Sequence, residues 1–93
     1  QRQMCIRDRI RHAVGPECPI ILDSGVRSGE DIVRALASGA NFVMIGRSFL
    51  YAVAANGSAG VFDLVNNLKN DVDNVMAQIG CLNPDEITSK VLV

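Results

Sequence analysis

This sequence predicts an α/β fold with parallel strands, on three observations. Two short apolar runs, Pro19–Leu22 and Asn41–Ile45, lack polar alternation, which is typical of strands buried on both faces of a parallel sheet. Between them, from about Glu30 to Ser38, apolar residues recur at helical spacing. A strand, a short helix and a second strand in so few residues form a βαβ unit, whose crossover is right-handed.

Turn and cap residues set the limits of the first elements. Residues Ile10–Val14 are predicted to end a helix, because Gly15-Pro16 follows and proline cannot continue one. Ser28 is a suitable N-cap for the helix between the strands, since Asp31 follows three positions later. Gly39 suits the position just after that helix.

Two helices are predicted after the second strand. A short apolar helix, Ser48–Ala55, is broken by Asn56-Gly57-Ser58, and an amphipathic helix then runs from about Ala59 to Ile79 and is closed by Gly80. Its apolar face comprises Val61, Leu64, Val65, Leu68, Val72, Val75, Met76 and Ile79. A last short helix is predicted around Asp85–Ser89.

Length and composition exclude several classes. The chain has 93 residues, so it holds one domain at most, and its net charge of −1 does not favour a nucleic-acid partner. We expect no membrane span and no signal peptide. Its three cysteines are an odd number at spacings that predict neither disulfides nor a metal site. The one histidine, His12, has no predicted role. Two apolar strands cannot bury both faces of a sheet alone, which predicts a piece of a larger fold.

Both strands are followed by glycine and arginine, which predicts a phosphate-binding pocket. The residues concerned are Asp23, Ser24, Gly25, Val26 and Arg27 after the first strand, and Gly46 and Arg47 after the second. Glycine lets backbone N–H groups approach an anion, and arginine adds a forked cationic donor. An acidic Asp23 would instead accept hydrogen bonds from a ligand hydroxyl or from the loop backbone.

Each of these residues also has a structural explanation. Gly25 and Gly29 could serve only a tight turn, Arg27 could pair with a nearby acidic residue on the surface, and Arg47 could cap a neighbouring helix. Binding is favoured because two loops of similar composition follow two adjacent strands. In (β/α)₈ barrels the loops after the last two strands frequently bind phosphate together with the N-terminus of a short extra helix. The predicted helix Ser48–Ala55 occupies that place in the chain.

Residues Ile10 to Leu92 resemble the C-terminal end of a known enzyme family, the FMN-dependent α-hydroxy-acid oxidases and dehydrogenases. The resemblance is carried by three stretches and two shorter segments. They are Ile21 to Asp31, Ala35 to Ala40, Ile45 to Ala52, Gly57 to Val61 and Met76 to Gly80. It implies the last two βα units and the C-terminal helices of a TIM (β/α)₈ barrel, as residues 10–93 of an FMN hydroxy-acid dehydrogenase domain.

The resemblance also implies a cofactor and a reaction. The loop residues named above would hold the phosphate and ribityl chain of FMN, and the parent protein would oxidise a small L-2-hydroxy acid to a 2-oxo acid. Ser24 stands where many members have glycine, which favours L-lactate. The parent would be a homotetramer in the cytoplasm, with peripheral association at the inner membrane as an alternative.

The chain departs from the family in two places. The Ser-Asn-His-Gly-Gly/Ala-Arg-Gln motif, which carries the family's catalytic histidine, is absent, so no catalytic residue is predicted here and the chain alone is expected to be inactive. Residues 1–9 match nothing in the family and are predicted to be non-native or assembly-derived. The alternatives are another phosphate-binding barrel, a type 2 isopentenyl-diphosphate isomerase or an IMP dehydrogenase, or an inactive truncated chain.

Overall fold

A computed structural model describes residues 9–23 and 25–87. The elements in chain order are helical residues 9–14 (α1), strand β1 (Ile21–Asp23), helix α2 (Gly29–Ala37), strand β2 (Phe42–Met44), helix α3 (Arg47–Ile79) and a 3₁₀ helix (Pro84–Glu86). The strands pair in parallel, with Ile21 opposite Phe42 and Asp23 opposite Met44. The predicted βαβ unit is therefore present.

Both strands begin later than their apolar runs predicted. Pro19–Leu22 and Asn41–Ile45 were the expected limits, but β1 starts at Ile21 and continues through Asp23. The residues before the strands bond differently: the Ile20 amide donates to the Asn41 side-chain oxygen at 2.9 Å, and the Asn41 amide donates to the Ile20 carbonyl at 2.8 Å. The Asn41 side chain therefore accepts a hydrogen bond that a backbone carbonyl would accept in a continued strand ladder.

Helix α2 has the predicted caps. The Asp31 amide donates to the Ser28 hydroxyl at 3.2 Å, which confirms Ser28 as the N-cap. At the other end Gly39 has a φ of 111°, a left-handed conformation that favours glycine and ends the helix.

Helix α3 is broken where the sequence predicted a break. Asn56 (φ −154°, ψ 25°) and Gly57 (φ 58°, ψ −139°) leave helical geometry inside Arg47–Ile79. The residues on either side of the break are in close contact, since a Cβ on Gly60 would clash with the carbonyl oxygen of Ala52. Gly80, with a φ of 78°, closes the helix as predicted.

The core lies between α2 and the second half of α3. Val33, Ala37, Met76 and Ile87 are its buried residues. Partly buried apolar side chains pack against them: Leu36, Val72, Val75, Ile79 and Cys81. The part of the predicted apolar face of α3 from Val72 to Ile79 thus covers α2, whereas Val65 of the same face is 48% exposed. The last predicted helix is a 3₁₀ turn with Pro84 in its first position, and residues 88 and 89 lie outside the described residues.

The N-terminal ends of the strands are held by one arginine. The Arg11 guanidinium is half-buried and donates to the carbonyls of Gly39 (2.6 and 3.1 Å), Gly15 (2.8 Å) and Cys18 (2.7 Å). It also donates to the Asn41 side-chain oxygen at 2.6 Å. These contacts tie α1, the end of α2 and the start of β2 together, opposite to the end of the sheet that the glycine-bearing loops follow.

Among the described residues the strands are covered on one face only. Leu22 and Val43 are half-buried, whereas Ile21, Phe42 and Met44 are 58%, 63% and 54% exposed. This agrees with the expectation that two strands alone cannot bury both faces of the sheet. Alternate residues of a strand point to opposite faces, so the uncovered face is the one that a closed barrel encloses.

Helix α3 is the described element that bears on the expectation of no membrane span. By length and composition alone Arg47–Ile79 could cross a membrane, and none of its most apolar window is buried in the described structure. The same test is met by core helices of soluble proteins. The break at Asn56 and Gly57 divides the helix, and its second half carries Asp63, Lys69, Asp71 and Asp73. A span needs about 20 consecutive, predominantly apolar residues, which neither half supplies.

Candidate functional site

A cavity of about 370 Å³ lies at the carboxyl ends of both strands. It is lined by Asp23, Gly25, Val26, Arg27, Met44, Gly46, Arg47 and Ser48. Six of the seven predicted site residues therefore line one pocket, and the seventh, Ser24, lies outside the described residues. The volume falls within the range of small-molecule sites, about 300–1,000 Å³.

Strand register brings the two loops together. Asp23, the last residue of β1, is paired with Met44, the last residue of β2, so the chain leaves both strands at the same edge. The first loop then turns at Gly25, whose φ of 81° favours glycine, and Val26 anchors it with 6% exposure. The pocket thus has a fixed wall on the β1 side.

Both pocket arginines are free of acidic partners in the described part of the chain. There Glu30 pairs with Arg34 at 2.7 Å, and Asp31 accepts from the backbone amide of Arg27 at 3.1 Å. The surface salt bridge considered for Arg27 is therefore not formed with either residue. Within residues 9–23 and 25–87, the Arg47 side chain caps no helix end. Two exposed guanidinium groups remain available to an anion.

The N-terminus of α3 opens into the pocket without a cap. Gly46 precedes the helix, no side chain caps it, and its first turn contains no acidic residue. The Gly46 carbonyl accepts from the amides of Phe49 (3.0 Å) and Leu50 (3.1 Å), so the helix begins there. The amides of Arg47 and Ser48, in the first turn, have no acceptor among the described residues. Such N–H groups, at the positive end of the helix dipole, favour a bound anion.

The N-terminus of α2 is closed by the protein's own groups. Ser28 accepts from Asp31, and the Gly29 amide donates to the Asp71 carboxylate at 2.6 Å. Sequence reasoning found the first contact but missed Asp71, which lies 42 residues further along the chain. The available signal was weak: Asp71 follows Leu68 by three positions and so lies at the edge of the apolar face of α3.

The pocket can bind but offers little for catalysis. No cluster of three metal-ligating side chains occurs among residues 9–23 and 25–87, and His12 is exposed on α1, at the opposite end of the strands. The donors present are guanidinium groups and backbone amides, and the one carboxylate that lines the pocket is Asp23. This set suits a ligand with a phosphate at one end and hydroxyl groups beside it.

A parallel βαβ unit with an anion-accepting edge defines the chain as part of an α/β protein that binds a phosphorylated ligand. Comparison with known proteins supplies the family: the sequence profile of the FMN-dependent dehydrogenases matches residues 4–93. The chain belongs to this family, which confirms the resemblance found in the sequence. The match begins inside residues 1–9, whose foreign origin stays a prediction.

Individual relatives agree with the profile. The chain is 47% identical over 77 residues to (S)-mandelate dehydrogenase of Pseudomonas putida, covering 77% of this chain and 20% of that protein. It is 45% identical over 84 residues to L-lactate dehydrogenase of Pectobacterium atrosepticum, covering 90% and 22%. A solved structure of a soluble mutant of the membrane-associated P. putida enzyme superposes with a TM-score of 0.89 at 40% identity, covering 95% of this chain and 25% of that one.

The chain thus spans about a quarter of the length of these relatives or less. The superposition confirms the predicted fold class, a pair of βα units with C-terminal helices from a (β/α)₈ barrel. It also accounts for the uncovered apolar face of β1 and β2, because in a closed barrel that face is enclosed by further strands.

Proposed function

We propose that the chain forms the phosphate-binding part of the FMN site in a 2-hydroxy-acid oxidoreductase. The observation that carries the proposal is the pocket itself. Two guanidinium groups and an uncapped helix N-terminus meet there at the carboxyl ends of two parallel strands. Loops after the last two strands of a βα-barrel are a frequent seat for phosphate. Membership of the FMN-dependent dehydrogenase family supports FMN as the group that brings this phosphate.

The residues fit FMN by their chemistry. Arg27 and Arg47 would bind phosphate oxygens, and the Gly25 and Gly46 backbones would approach them closely, since a Cβ on Gly46 meets nothing within 4 Å. Asp23 would accept hydrogen bonds from ribityl hydroxyls, with Ser24 and Val26 completing the loop. When bound, the flavin accepts the electrons of the oxidation, while these residues bind and orient it.

We further propose a small L-2-hydroxy acid as the substrate of the whole protein, and L-lactate within that class. The similarity to mandelate and lactate dehydrogenases supports the class. Ser24 supports lactate through the resemblance described above. A homotetramer in the cytoplasm, with peripheral association at the inner membrane as an alternative, completes the proposal. The membrane-associated P. putida relative supports that alternative.

A chimera tests the FMN site. Residues 10–93 replace the matching part of P. putida (S)-mandelate dehydrogenase, and the purified protein is assayed for bound FMN. We expect FMN to be retained, and Arg47→Ala to weaken its binding by about 10- to 100-fold, because a hydrogen bond to a charged group is worth about 1.5–3 kcal/mol. Isothermal titration with FMN measures the loss.

The matched control is Arg34→Ala in the same chimera. Arg34 carries the same charge but lies on the exposed side of α2 and pairs only with Glu30 among the described residues. We expect its FMN affinity to stay within about twofold, since exposed ion pairs contribute little. A folded chimera without FMN, or equal losses in both variants, would contradict the proposal.

The 93-residue chain alone is expected to be inactive. The described residues that line its pocket include no histidine or lysine to take the hydroxyl proton of the substrate. Steady-state assay of the purified chain with L-lactate, FMN and an artificial electron acceptor should show no turnover above buffer. Measurable turnover would mean that this chain supplies a base of its own.

A further inference from the structure

We propose that Asp71 is a positioning residue for the anion pocket: it fixes the N-terminus of α2 and, through it, the loop that carries Arg27. The inference rests on the proposed function, because it concerns the same phosphate site. Asp71 does not line the pocket. It acts on the site from the middle of α3, through the contacts described below.

The first contact joins Asp71 to the start of α2. The Gly29 amide donates to its carboxylate at 2.6 Å, a charge-assisted hydrogen bond in a part-buried place. Gly29 is buried and packs against the backbone of α3. A Cβ there would lie 2.5 Å from the Val72 nitrogen and 2.7 Å from the Asp71 Cβ. The first turn of α2 is thus fixed against α3 by both packing and charge.

The second contact passes this fixed position to Arg27. Ser28, the N-cap, accepts from the Asp31 amide at 3.2 Å, and the Asp31 carboxylate accepts from the Arg27 amide at 3.1 Å. Because these hydrogen bonds link neighbouring residues, the backbone of Arg27 follows the position of Gly29. Arg27 lines the pocket together with Gly46 and Arg47, so a shift of α2 moves the Arg27 guanidinium relative to those two residues.

Asp71 has a second effect, on where an anion can bind. Two helix N-termini follow the two strands, and each favours negative charge. Asp71 supplies that charge to α2 from within the chain, whereas α3 receives none from its own first turn. An external phosphate is therefore directed to α3 and the pocket, and is excluded from Gly29.

The test uses the ¹⁵N-labelled 93-residue chain and three variants, followed by NMR. Asp71→Ala removes the acceptor, Asp71→Asn keeps an acceptor oxygen without charge, and Asp73→Asn is the matched control. Asp73 lies on the same helix but is exposed, and it has no hydrogen-bond partner in the described part of the chain. Spectra are recorded first without ligand and then with inorganic phosphate.

Without ligand, we expect Asp71→Asn to shift the Gly29 amide proton upfield, since a neutral acceptor polarises it less, while Asp73→Asn leaves it in place. Asp71→Ala should also disorder residues 25–28 on the nanosecond timescale, and Asp71→Asn should restore their order. If the Gly29 amide proton keeps its chemical shift in Asp71→Asn, the proposal is overturned, even if Asp71→Ala fails to fold.

With phosphate, we expect the wild-type shifts to cluster at the amides of Arg47 and Ser48. Asp71→Ala should bind there about tenfold more weakly, the loss expected when one charge-assisted hydrogen bond to the anion is no longer made, and should gain phosphate-dependent shifts at Gly29. Unchanged affinity in a folded Asp71→Ala variant overturns the proposal. If the wild-type chain binds no phosphate, the proposed function loses its support, and the ligand-free spectra still decide the positioning role.

Discussion

Helices α2 and α3 each follow a strand of the same sheet, yet their N-termini differ in charge and in accessibility. The first turn of α2 holds Glu30 and Asp31, is capped by Ser28 and donates the Gly29 amide to the carboxylate of Asp71. The first turn of α3 has no acidic residue and no capping side chain. A glycine-bearing turn therefore does not by itself make an anion site. We propose as the anion site the helix end whose own first turn contains no acidic residue.

The largest expected effect is on the free energy of unfolding, and it differs between alanine substitutions of Gly29 and Gly46, the glycines at these two helix ends. Gly29→Ala should lower the free energy of unfolding by about 3 kcal/mol, the upper end for overpacking, because its Cβ would meet α3 backbone at 2.5 Å. Gly46→Ala should change it by no more than about 0.5 kcal/mol, since nothing lies within 4 Å. Urea denaturation followed by circular dichroism measures both. Equal losses would show that α2 is not packed more tightly than α3.

A smaller effect is expected from giving α3 the carboxylate that α2 already has. Gly46→Asp in the chimera should weaken FMN binding by about tenfold, or about 1.4 kcal/mol, because a fixed negative charge would face the phosphate. Gly46→Asn is the control of equal size. The backbone angles of Gly46 (φ −108°, ψ −67°) suit either residue. If both variants lose affinity alike, side-chain volume and not charge explains the open end.

The smallest effect concerns the cap that closes α2. Ser28→Ala should lower the free energy of unfolding by about 1 kcal/mol, since the Asp31 amide loses its acceptor. Ser48→Ala, in the first turn of α3, should have little effect, because the Ser48 hydroxyl has no hydrogen-bond partner among the described residues. Thermal unfolding of the two variants gives the comparison. A larger loss for Ser48→Ala would mean that α3 also depends on a hydroxyl at its start.

Local features of this fold could be predicted from sequence because local residues determine them. The cap at Ser28, the left-handed glycines at 39 and 80 and the break at Asn56 and Gly57 each depend on a few neighbouring residues. The βαβ order follows from apolar runs of the right length. The strand limits were less accurate, because the Asn41 side chain bonds to Ile20 where a ladder contact was expected.

For the candidate site too, the features that depend on neighbouring residues could be predicted and the contacts with distant residues could not. Its lining residues were predicted because they follow two strands in the chain, and parallel pairing brings such loops together. Asp71 and Arg11 were missed because their partners lie 42 and up to 30 residues away. No local pattern indicates which backbone group a distant charged side chain will contact. The exposure of one strand face was expected, because two strands cannot bury both faces of a sheet alone.

The break in α3 has a further consequence, which is chemical. Asn56 and Gly57 are exposed, and their backbone is not held in helical geometry. In an asparagine–glycine pair the following amide nitrogen can attack the side-chain carbonyl, since glycine offers no steric hindrance. Ammonia is lost, a cyclic imide forms, and water opens it to aspartate or isoaspartate. Asparagine is among the thermolabile residues for this reason. We therefore expect deamidation at Asn56, in the break of α3, to accumulate with time. Each deamidation adds one negative charge to the protein.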